Sequence, residues 1–591
     1  MADSPAKYVD RLLTCVVTVD GKKLDDRYML VSADVRLELN HIGKARLKFN
    51  AGNMDKQTFD ESDDSSLKPG ASIRLDAGDI NSQETVFEGL VTSVRIQVAR
   101  DGHSYMVLEC RDCAYPATQG RKNRIFEKKS DSEIIKETLS SYGSVSVDST
   151  SCKHNSLVQY YCTDWDFALS RADACGLYVC CEGKKINVRK PAVDGSPVLG
   201  LTFGEDMIDF NLELTAGDQY ADYQAVSWSL EKLEAVVESA PSPKYNKQGD
   251  LTPAKIATGG KMLLQTDAPT ASDALKLWAG SMALRSALCR YQGTVSFYGT
   301  GKVKPGCLVE LKGLGKRFNG NLFAGSVTHS IRDNVWITEV GAGVSPSGIM
   351  DEPDVESPSA AGFLPGLHGL HSAVVKKLDG DPQGEYRIQV ELPWMDGQSK
   401  LLWARLVSLY ATGGASMFFL PEVGDEVVVG FMNNDPSHPV VVGSFYGKMQ
   451  KPPFAYDKKN NTKAIVTREK LTVCFDEEKK VMTLKTPAGN TVELSDDGKS
   501  ICLKDQHGNE IRTDNGGVAI TSNKDIKLTA KGGITLSANS KISCSAKSDA
   551  SLEGMNVNIQ AKVGATVKGN AKAELSASGQ TTVKGAMVMI N

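Results

Sequence analysis

The sequence predicts a mainly β protein. Its expected parts are a duplicated β-barrel head with a small α/β insertion, an OB-fold barrel, and a C-terminal triple-stranded β-helix formed by trimerisation. Three observations carry this reading. Two blocks, near residues 68–101 and 304–333, repeat the same turn and strand pattern. Residues 371–450 hold roughly five short strands, the number that suits a small OB-type barrel. From residue 518 onward, pairs of apolar residues recur every eight positions.

At 591 residues the chain exceeds what one hydrophobic core supports, so several units are expected. The net charge of −4 gives no electrostatic case for nucleic acid, and no polybasic run marks a membrane surface. The first 17 residues mix Asp3, Lys7, Asp10 and Arg11 with short apolar pairs, which is not a signal peptide, and a cytoplasmic origin is the expectation. Thirteen cysteines, an odd number scattered among predicted strands, read as buried thiols in a reducing compartment rather than a disulfide framework. Cys110 and Cys113 form one CxxC without a second pair at zinc-site spacing.

Residues 1–115 read as the first head barrel, with alternating strands at Ser72-Ile73-Arg74-Leu75 and Val94-Arg95-Ile96-Gln97-Val98. Lys68-Pro69-Gly70 precedes Phe87-Glu88-Gly89-Leu90-Val91-Thr92, which begins 18 residues after Pro69. Lys304-Pro305-Gly306 precedes Phe323-Ala324-Gly325-Ser326-Val327-Thr328 at the same spacing. Both copies then reach a turn, Arg100-Asp101 and Arg332-Asp333. Equal internal spacing marks residues 196–350 as a second copy of the barrel. Between them, residues 116–195 form the α/β insertion. One helix is predicted over 131–142 with Ile134, Ile135 and Leu139 on one face; a second is capped by Asp164, carries Trp165, Leu169 and Ala172, and stops at Gly176. A third helix, over 271–285, carries a core stripe of Leu275, Trp278, Met282 and Leu284.

Residues 351–370 read as a linker, acidic and Pro/Ser-rich over 351–362. The OB barrel follows over 371–450, with strands expected near 372–378, 386–392, 402–409, 426–431 and 440–444. Residues 451–516 are a neck and the start of the β-helix, and 517–591 its octad repeat. In each octad a residue and its second neighbour point to one side of a strand. The pairs are Val518/Ile520, Ile526/Leu528, Ile534/Leu536, Ile542/Cys544 and Ala550/Leu552. After a one-residue slip come Val557/Ile559, Ala565/Val567, Ala573/Leu575 and Thr581/Val583. One chain buries too little apolar surface this way to offset the entropy of ordering it, and it has no return strand within an octad. Three chains sharing the apolar axis resolve both problems, so the pairs are expected to form the core of a trimer. The apolar run Met587, Val588, Met589, Ile590 and Asn591 then reads as a covered blunt tip.

Catalytic patterns are not expected. Glu422, Asp425 and Glu426 fall in a turn and a strand start without a His, Cys or Ser partner in a recognisable pattern. His438, between Ser437 and Pro439, reads as a turn residue. The sequence contains no phosphate loop, nucleophile elbow or metal-ligand spacing, so no metal or cofactor is expected.

The OB segment also carries a resemblance. It comprises Trp403-Ala404-Arg405, then Met417-Phe418-Phe419-Leu420-Pro421-Glu422-Val423-Gly424-Asp425-Glu426-Val427-Val428-Val429-Gly430-Phe431, then Asp435-Pro436-Ser437-His438-Pro439-Val440-Val441-Val442-Gly443-Ser444. This resembles the OB domain of VgrG spike proteins of type VI secretion and related contractile injection systems. Asp164-Trp165-Asp166-Phe167, with Arg171-Ala172 and Gly176-Leu177, is similar to the matching part of the VgrG head. The resemblance implies a homotrimer whose six barrels match a hexameric Hcp-like tube. It also implies a PAAR-type tip protein on Met587 to Asn591, baseplate contacts and effector cargo, with no nucleic acid. Such a protein starts in the cytoplasm and is driven outward, through a target envelope, when a sheath contracts. Some relatives carry a lysozyme domain before the needle, but here only a short neck joins Gly447 to Thr462; others append an effector, and this chain is expected to end with its needle. Phage tips can hold iron through paired histidines; the needle region has only His507. Two other classes of protein share parts of this pattern. A phage-like tail spike that digests cell wall needs a hydrolase insertion with two carboxylates in a cleft. An extracellular β-helical adhesin needs a secretion signal and an aromatic ladder, yet Phe475 is the only aromatic residue after Thr462.

Overall fold

The computed structural model describes residues 13–396 and 400–590. The charged residues Asp3, Lys7, Asp10 and Arg11, and Asn591 of the expected tip, lie outside them. The chain divides into two compact units, Met1–Phe445 and Tyr446–Asn591. Among the described residues no helix is long and apolar enough to cross a membrane.

The head contains two six-strand blocks of the same topology. The first comprises β1 (Thr14–Val19), β2 (Leu30–Glu38), β3 (Lys44–Asn50), β4 (Ser72–Asp79), β5 (Ser82–Val98) and β6 (Ser104–Arg111). The second comprises β7 (Leu199–Thr202), β8 (Met207–Leu214), β9 (Tyr291–Tyr298), β10 (Leu308–Lys312), β11 (Gly320–Arg332) and β12 (Val335–Ala342). The spatial order is β1-β4-β5-β6-β3-β2 in one block and β7-β10-β11-β12-β9-β8 in the other. The blocks differ at their first strand, which is antiparallel to its neighbour in the first and parallel in the second. Each wraps its own core, Leu47, Phe49, Leu75 and Leu108 in one, and Val295, Phe297, Leu311 and Val340 in the other. A ladder between β2 and β11 joins the two into one sheet.

The backbone fixes the correspondence residue by residue. Gly70 and Gly306 both take positive φ in the turn before β4 and β10, a conformation glycine adopts without a Cβ penalty. Their N–H groups donate to Val91 O (2.8 Å) and Ala324 O (2.7 Å). A β-bulge follows at once in each copy, between Val91 and Ser93 and between Ala324 and Ser326. A second matched bulge separates Leu30 from Ser32 and Met207 from Asp209. Val91 therefore corresponds to Ala324. The equal spacing of the sequence echo, which sets Phe87 against Phe323, is out of structural register by three residues. The physical reason is the hairpin between β4 and β5, which is longer than its counterpart: Ser72 pairs with Leu90, whereas Leu308 pairs with Phe323.

The insertion begins as a hairpin of Lys122–Ser130 and Lys153–Cys162 that packs on two helices. Helix α1 (Asp131–Leu139) starts at a capping box, in which Ser130 and Glu133 satisfy each other's backbone N–H, and buries Ile134, Ile135 and Leu139 as expected. In α2 (Asp164–Ala174) the N-cap is Thr163, whose hydroxyl accepts from Asp166 N at 3.0 Å. Asp164, expected to be that cap, is instead buried in the first turn, where Lys122 (2.7 Å), Tyr142 (2.8 Å) and Gln159 (3.0 Å) donate to it. Helix α3 (Ser272–Cys289) outlasts its predicted end. Of the expected stripe only Leu275 is fully buried; Trp278, Met282 and Leu284 are half-buried, because Ala279, Ala283 and Ala287 let the helix sit close to its neighbours.

The expected linker is tied to the head. Arg121 donates to the carbonyls of Asp354 (2.9 Å) and Glu356 (3.0 Å), and Val355 and Ala360 are buried. Next, β13 (His371–Lys377), β14 (Ile388–Glu391), β15 (Leu401–Leu406), β16 (Glu426–Phe431) and β17 (Pro439–Ser444) close a barrel in the order β13-β14-β15-β17-β16. All five strands fall where the alternation of the sequence places them, around a core that includes Val375, Val390, Ala404, Val427 and Val441.

Two predictions follow from these contacts. Removing the Arg121 guanidinium in Arg121→Ala frees the 351–362 segment; limited proteolysis should then cut there several-fold faster, with cleavage elsewhere unchanged. Asp112 accepts from Gly43 N (2.5 Å) and Ala114 N (2.9 Å), yet burial raises its carboxyl to about 6. The folded state therefore holds this proton more tightly than the unfolded chain does. That contribution is full below the unfolded carboxyl range near 4 and is lost as pH rises through about 6. Hydrogen exchange at Gly43 and Ala114 should quicken across this window in the parent protein and change less in Asp112→Asn.

Candidate functional site: the apolar face of the C-terminal unit

The second unit starts with seven five-residue strands: β18 (Thr462–Val466), β19 (Thr472–Asp476), β20 (Val481–Lys485), β21 (Thr491–Ser495), β22 (Ser500–Lys504), β23 (Glu510–Asp514) and β24 (Gly517–Thr521). Each pairs antiparallel with the next. The turns are local and polar. Asp476 accepts from the N–H groups of Glu478 and Lys479, and Asp505 from those of His507 and Asn509. Lys480, Gly489, Lys499 and Gly508 take the positive φ that reverses the chain.

This register segregates the faces. Ile465, Val473, Leu484, Val492, Leu503, Ile511 and Ile520 lie opposite one another in turn, forming an apolar column across all seven strands. A second column on the same face runs through Phe475, Met482, Leu494 and Ile501, then Thr513 and Val518. The opposite face carries Thr483, Glu493, Cys502 and Arg512. Nothing covers the apolar side: among the described residues of this unit no apolar side chain is buried.

The sequence pattern missed most of this face. Its pairs Val473/Phe475, Met482/Leu484, Val492/Leu494, Ile501/Leu503 and Ile511/Thr513 recur at alternating spacings of nine and ten, because each strand of five is followed by a turn of four or five. A search for one fixed period passes over them, although the i, i+2 pairing itself was legible.

The first expected core pair, Val518/Ile520, lies in β24 and is the last row of this face. Beyond it, residues 522–590 form no strand or helix within the chain. The remaining expected core residues all stand exposed: Ile526, Leu528, Ile534, Leu536, Ile542, Cys544, Leu552, Val557, Ile559, Val567, Leu575 and Val583. Ile526 and Leu528 are 55% and 69% exposed. Met587, Val588, Met589 and Ile590 are likewise exposed. These segments hold an apolar ladder that one chain leaves open to water.

Glu422, Asp425 and His438 build turns, and Glu426 opens a strand. Glu422 N donates to the Asp425 carboxylate (2.8 Å) and Asp425 N to Glu422 O (3.0 Å), with Gly424 at positive φ just before β16, which Glu426 opens. His438 Nδ1 lies 3.2 Å from the Asp435 carboxylate in the turn before β17. All thirteen cysteines are unpaired, and burial pushes the Cys110 thiol up to about 12. Among the described residues no His, Cys, Asp and Glu cluster has metal-holding geometry.

Comparison with known proteins gives two family matches. The model described as the Alg8 N-terminal domain matches residues 9–333. The type VI secretion system/phage-baseplate injector OB domain matches residues 371–446. The chain is 29% identical over 99 residues to the type VI secretion system spike protein VgrG3 of Vibrio cholerae, covering 15% of this chain and 10% of that protein. It is 28% identical over 98 residues to the type VI secretion system spike protein VgrG1b of Pseudomonas aeruginosa, covering 15% and 13%. Over 87 residues it is 26% identical to the actin cross-linking toxin VgrG1 of Vibrio cholerae, covering 14% and 8%. The matches thus span about a tenth of the length of these relatives. Among solved structures, the 43 kDa tail protein of prophage MuSo2 from Shewanella oneidensis aligns with a TM-score of 0.43 at 12% identity, over 56% of this chain and 98% of that one. An E. coli component of the type VI secretion system aligns with a TM-score of 0.37 at 13% identity, over 73% and 99%.

The open face gives a direct test. Leu484 is 44% exposed in one chain, so an aspartate there costs little unless another chain covers it. Leu484→Asp should lower the melting temperature of the assembled protein by several degrees. Thr483→Asp, on the opposite face of the same strand, should leave it within a degree or so. Differential scanning calorimetry of the full chain distinguishes the two.

Proposed function

Since the chain belongs to the Alg8 N-terminal domain family and is a VgrG-type spike, we propose that it works as a homotrimeric puncturing spike at the tip of a contractile injection apparatus. One observation carries this reading. The C-terminal unit has an apolar face two columns wide that ends at the first octad pair, Val518/Ile520, the later pairs follow it in sequence, and among its described residues no apolar side chain is buried within one chain. Three such faces turned toward a common axis bury one another and satisfy the backbone groups of residues 522–590 between chains. The product is a stiff needle. Its core consists of the expected pairs from Val518/Ile520 to Val583, extended N-terminally by Val473 to Ile511.

The rest of the role follows from this arrangement. Three chains carry six copies of the duplicated head block, a number that matches a hexameric Hcp-like tube. The exposed Met587, Val588, Met589 and Ile590, with Asn591 next in the sequence, offer an apolar seat for a PAAR-type tip protein. Baseplate contacts hold the spike before firing, and effector cargo travels with it from the cytoplasm through a target envelope. The energy comes from the contracting sheath. The spike supplies stiffness rather than catalysis, in keeping with the turn roles of Glu422, Asp425 and His438.

Light scattering coupled to size exclusion tests the central claim. The expected mass is that of three 63.6 kDa chains. A well-ordered single chain in solution would remove the needle and, with it, this function.

A further inference from the structure

The one CxxC of the sequence, Cys110-Arg111-Asp112-Cys113, is divided between two cores. Cys110 lies in β6 and is fully buried in the core of the first block. Cys113 lies past the end of that strand and packs instead against the core of the α/β insertion. The motif therefore does not bring its own two thiols together.

The insertion brings a different thiol to Cys113. Its strand Tyr178–Glu182 pairs antiparallel with Lys185–Arg189. Alternation along the strand sends Tyr178 and Cys180 to one apolar cluster, and Val179 and Cys181 to the cluster that Cys113 joins. The Cys113 sulfur sits beside the turn of this hairpin. A Cβ added to Gly143 would lie 3.6 Å from Cys113 Sγ and 2.7 Å from the Lys184 carbonyl oxygen. The Cys181 thiol is within hydrogen-bonding reach of Cys113 and of the Asp112 carboxylate. Both cysteines are unpaired, and both keep part of their surface in solvent. Cys113, Cys181 and Asp112 do not have metal-holding geometry.

We propose that Cys113 and Cys181 are a modification site, a dithiol that closes to a disulfide on meeting a low-molecular-weight disulfide. The Cys113 sulfur attacks the small disulfide, forms a mixed disulfide and releases one small thiolate. The Cys181 sulfur then attacks Cys113 Sγ, which forms the protein bond and releases the second. Two protein thiols are oxidised, one small disulfide is reduced, and the two protons pass to the released thiolates. Contact with Cys113, with burial and the Asp112 charge, pushes the Cys181 thiol up, which suits it to the second step rather than the first. The new bond closes the segment that holds α1 and α2 into a loop and ties the insertion to the chain leaving β6. Such a closure braces a fold by restricting its unfolded state. In a reducing cytoplasm the pair stays open, and outside it the pair closes. That use rests on the spike reading above, in which the chain leaves the cytoplasm; the pairing of the two thiols does not.

Peptide mapping of the full chain tests the site. The reduced protein is held folded with oxidised glutathione, its remaining thiols are capped with N-ethylmaleimide, and the digest is read by mass spectrometry. The expected product is a pair of peptides joined through Cys113 and Cys181. Scanning calorimetry should show a rise of several degrees in the melting temperature of the oxidised protein, reversed by a reductant. Cys181→Ala should trap glutathione on Cys113, and Cys113→Ala should abolish the joined pair. Maleimide on both Cys113 and Cys181 of the glutathione-treated parent would overturn the proposal, as would a link between Cys110 and Cys113. These outcomes are read on the parent and stand even where a variant fails to fold. A joined pair with an unchanged melting temperature would overturn the bracing. A single-chain mass together with the joined pair would remove the spike reading and leave this site standing.

Discussion

A folded segment with no core of its own governs this protein. From residue 446 onward the described chain buries no apolar side chain, although it aligns them in columns. Burial of such side chains is the main force available to hold a chain in one conformation, and here one copy cannot supply it. The turns of the seven-stranded sheet are well made, each closed by an aspartate, a threonine or a residue at positive φ. Local chemistry therefore sets the register, and the proposed trimer is what would supply the stability.

The head shows the same economy at its edges. Two blocks with identical strand order have cores built at equivalent places, Leu47 with Val295 and Phe49 with Phe297. Duplication normally leaves both copies with the same surfaces. Here one pair of surfaces meets inside the chain along β2 and β11, while the other pair, β8 and the end of β5, has no further partner strand among the described residues. The α/β insertion combines an apolar core, with Ile135, Leu139, Trp165, Leu169 and Val188 at its centre, with buried charge. Burial pushes Asp131 up, but Arg171 (2.7 Å) and His154 (3.0 Å) more than compensate and hold it low. Arg285 of α3 donates to the Asp173 carboxylate of α2 at 2.5 Å.

The five OB strands and the octad pairs were legible because both depend on alternation, a local property of neighbouring residues. The helices were legible for the same reason, but their ends were not. Thr163 rather than Asp164 caps α2, since the buried Asp164 carboxylate is claimed by Lys122 and Tyr142 from elsewhere in the fold. The segment 351–362 has the composition of a free linker, yet Arg121, more than two hundred residues earlier, holds its carbonyls.

By itself, then, the sequence determined the period of the apolar pairs, the existence of a duplicated block and the place of each OB strand. These are written in short-range spacing, which backbone geometry turns directly into faces and turns. Only the tertiary structure decided the register of the duplication, because a hairpin longer in one copy shifts every later match without altering the local pattern. It alone decided that pairs spaced by nine and ten share a face with Val518/Ile520, the first of the octad pairs, since turn length, not strand chemistry, sets that interval. And it alone showed which strand edges stay open, because an edge is defined by the absence of a neighbour, and neighbours in a sheet come from anywhere in the chain.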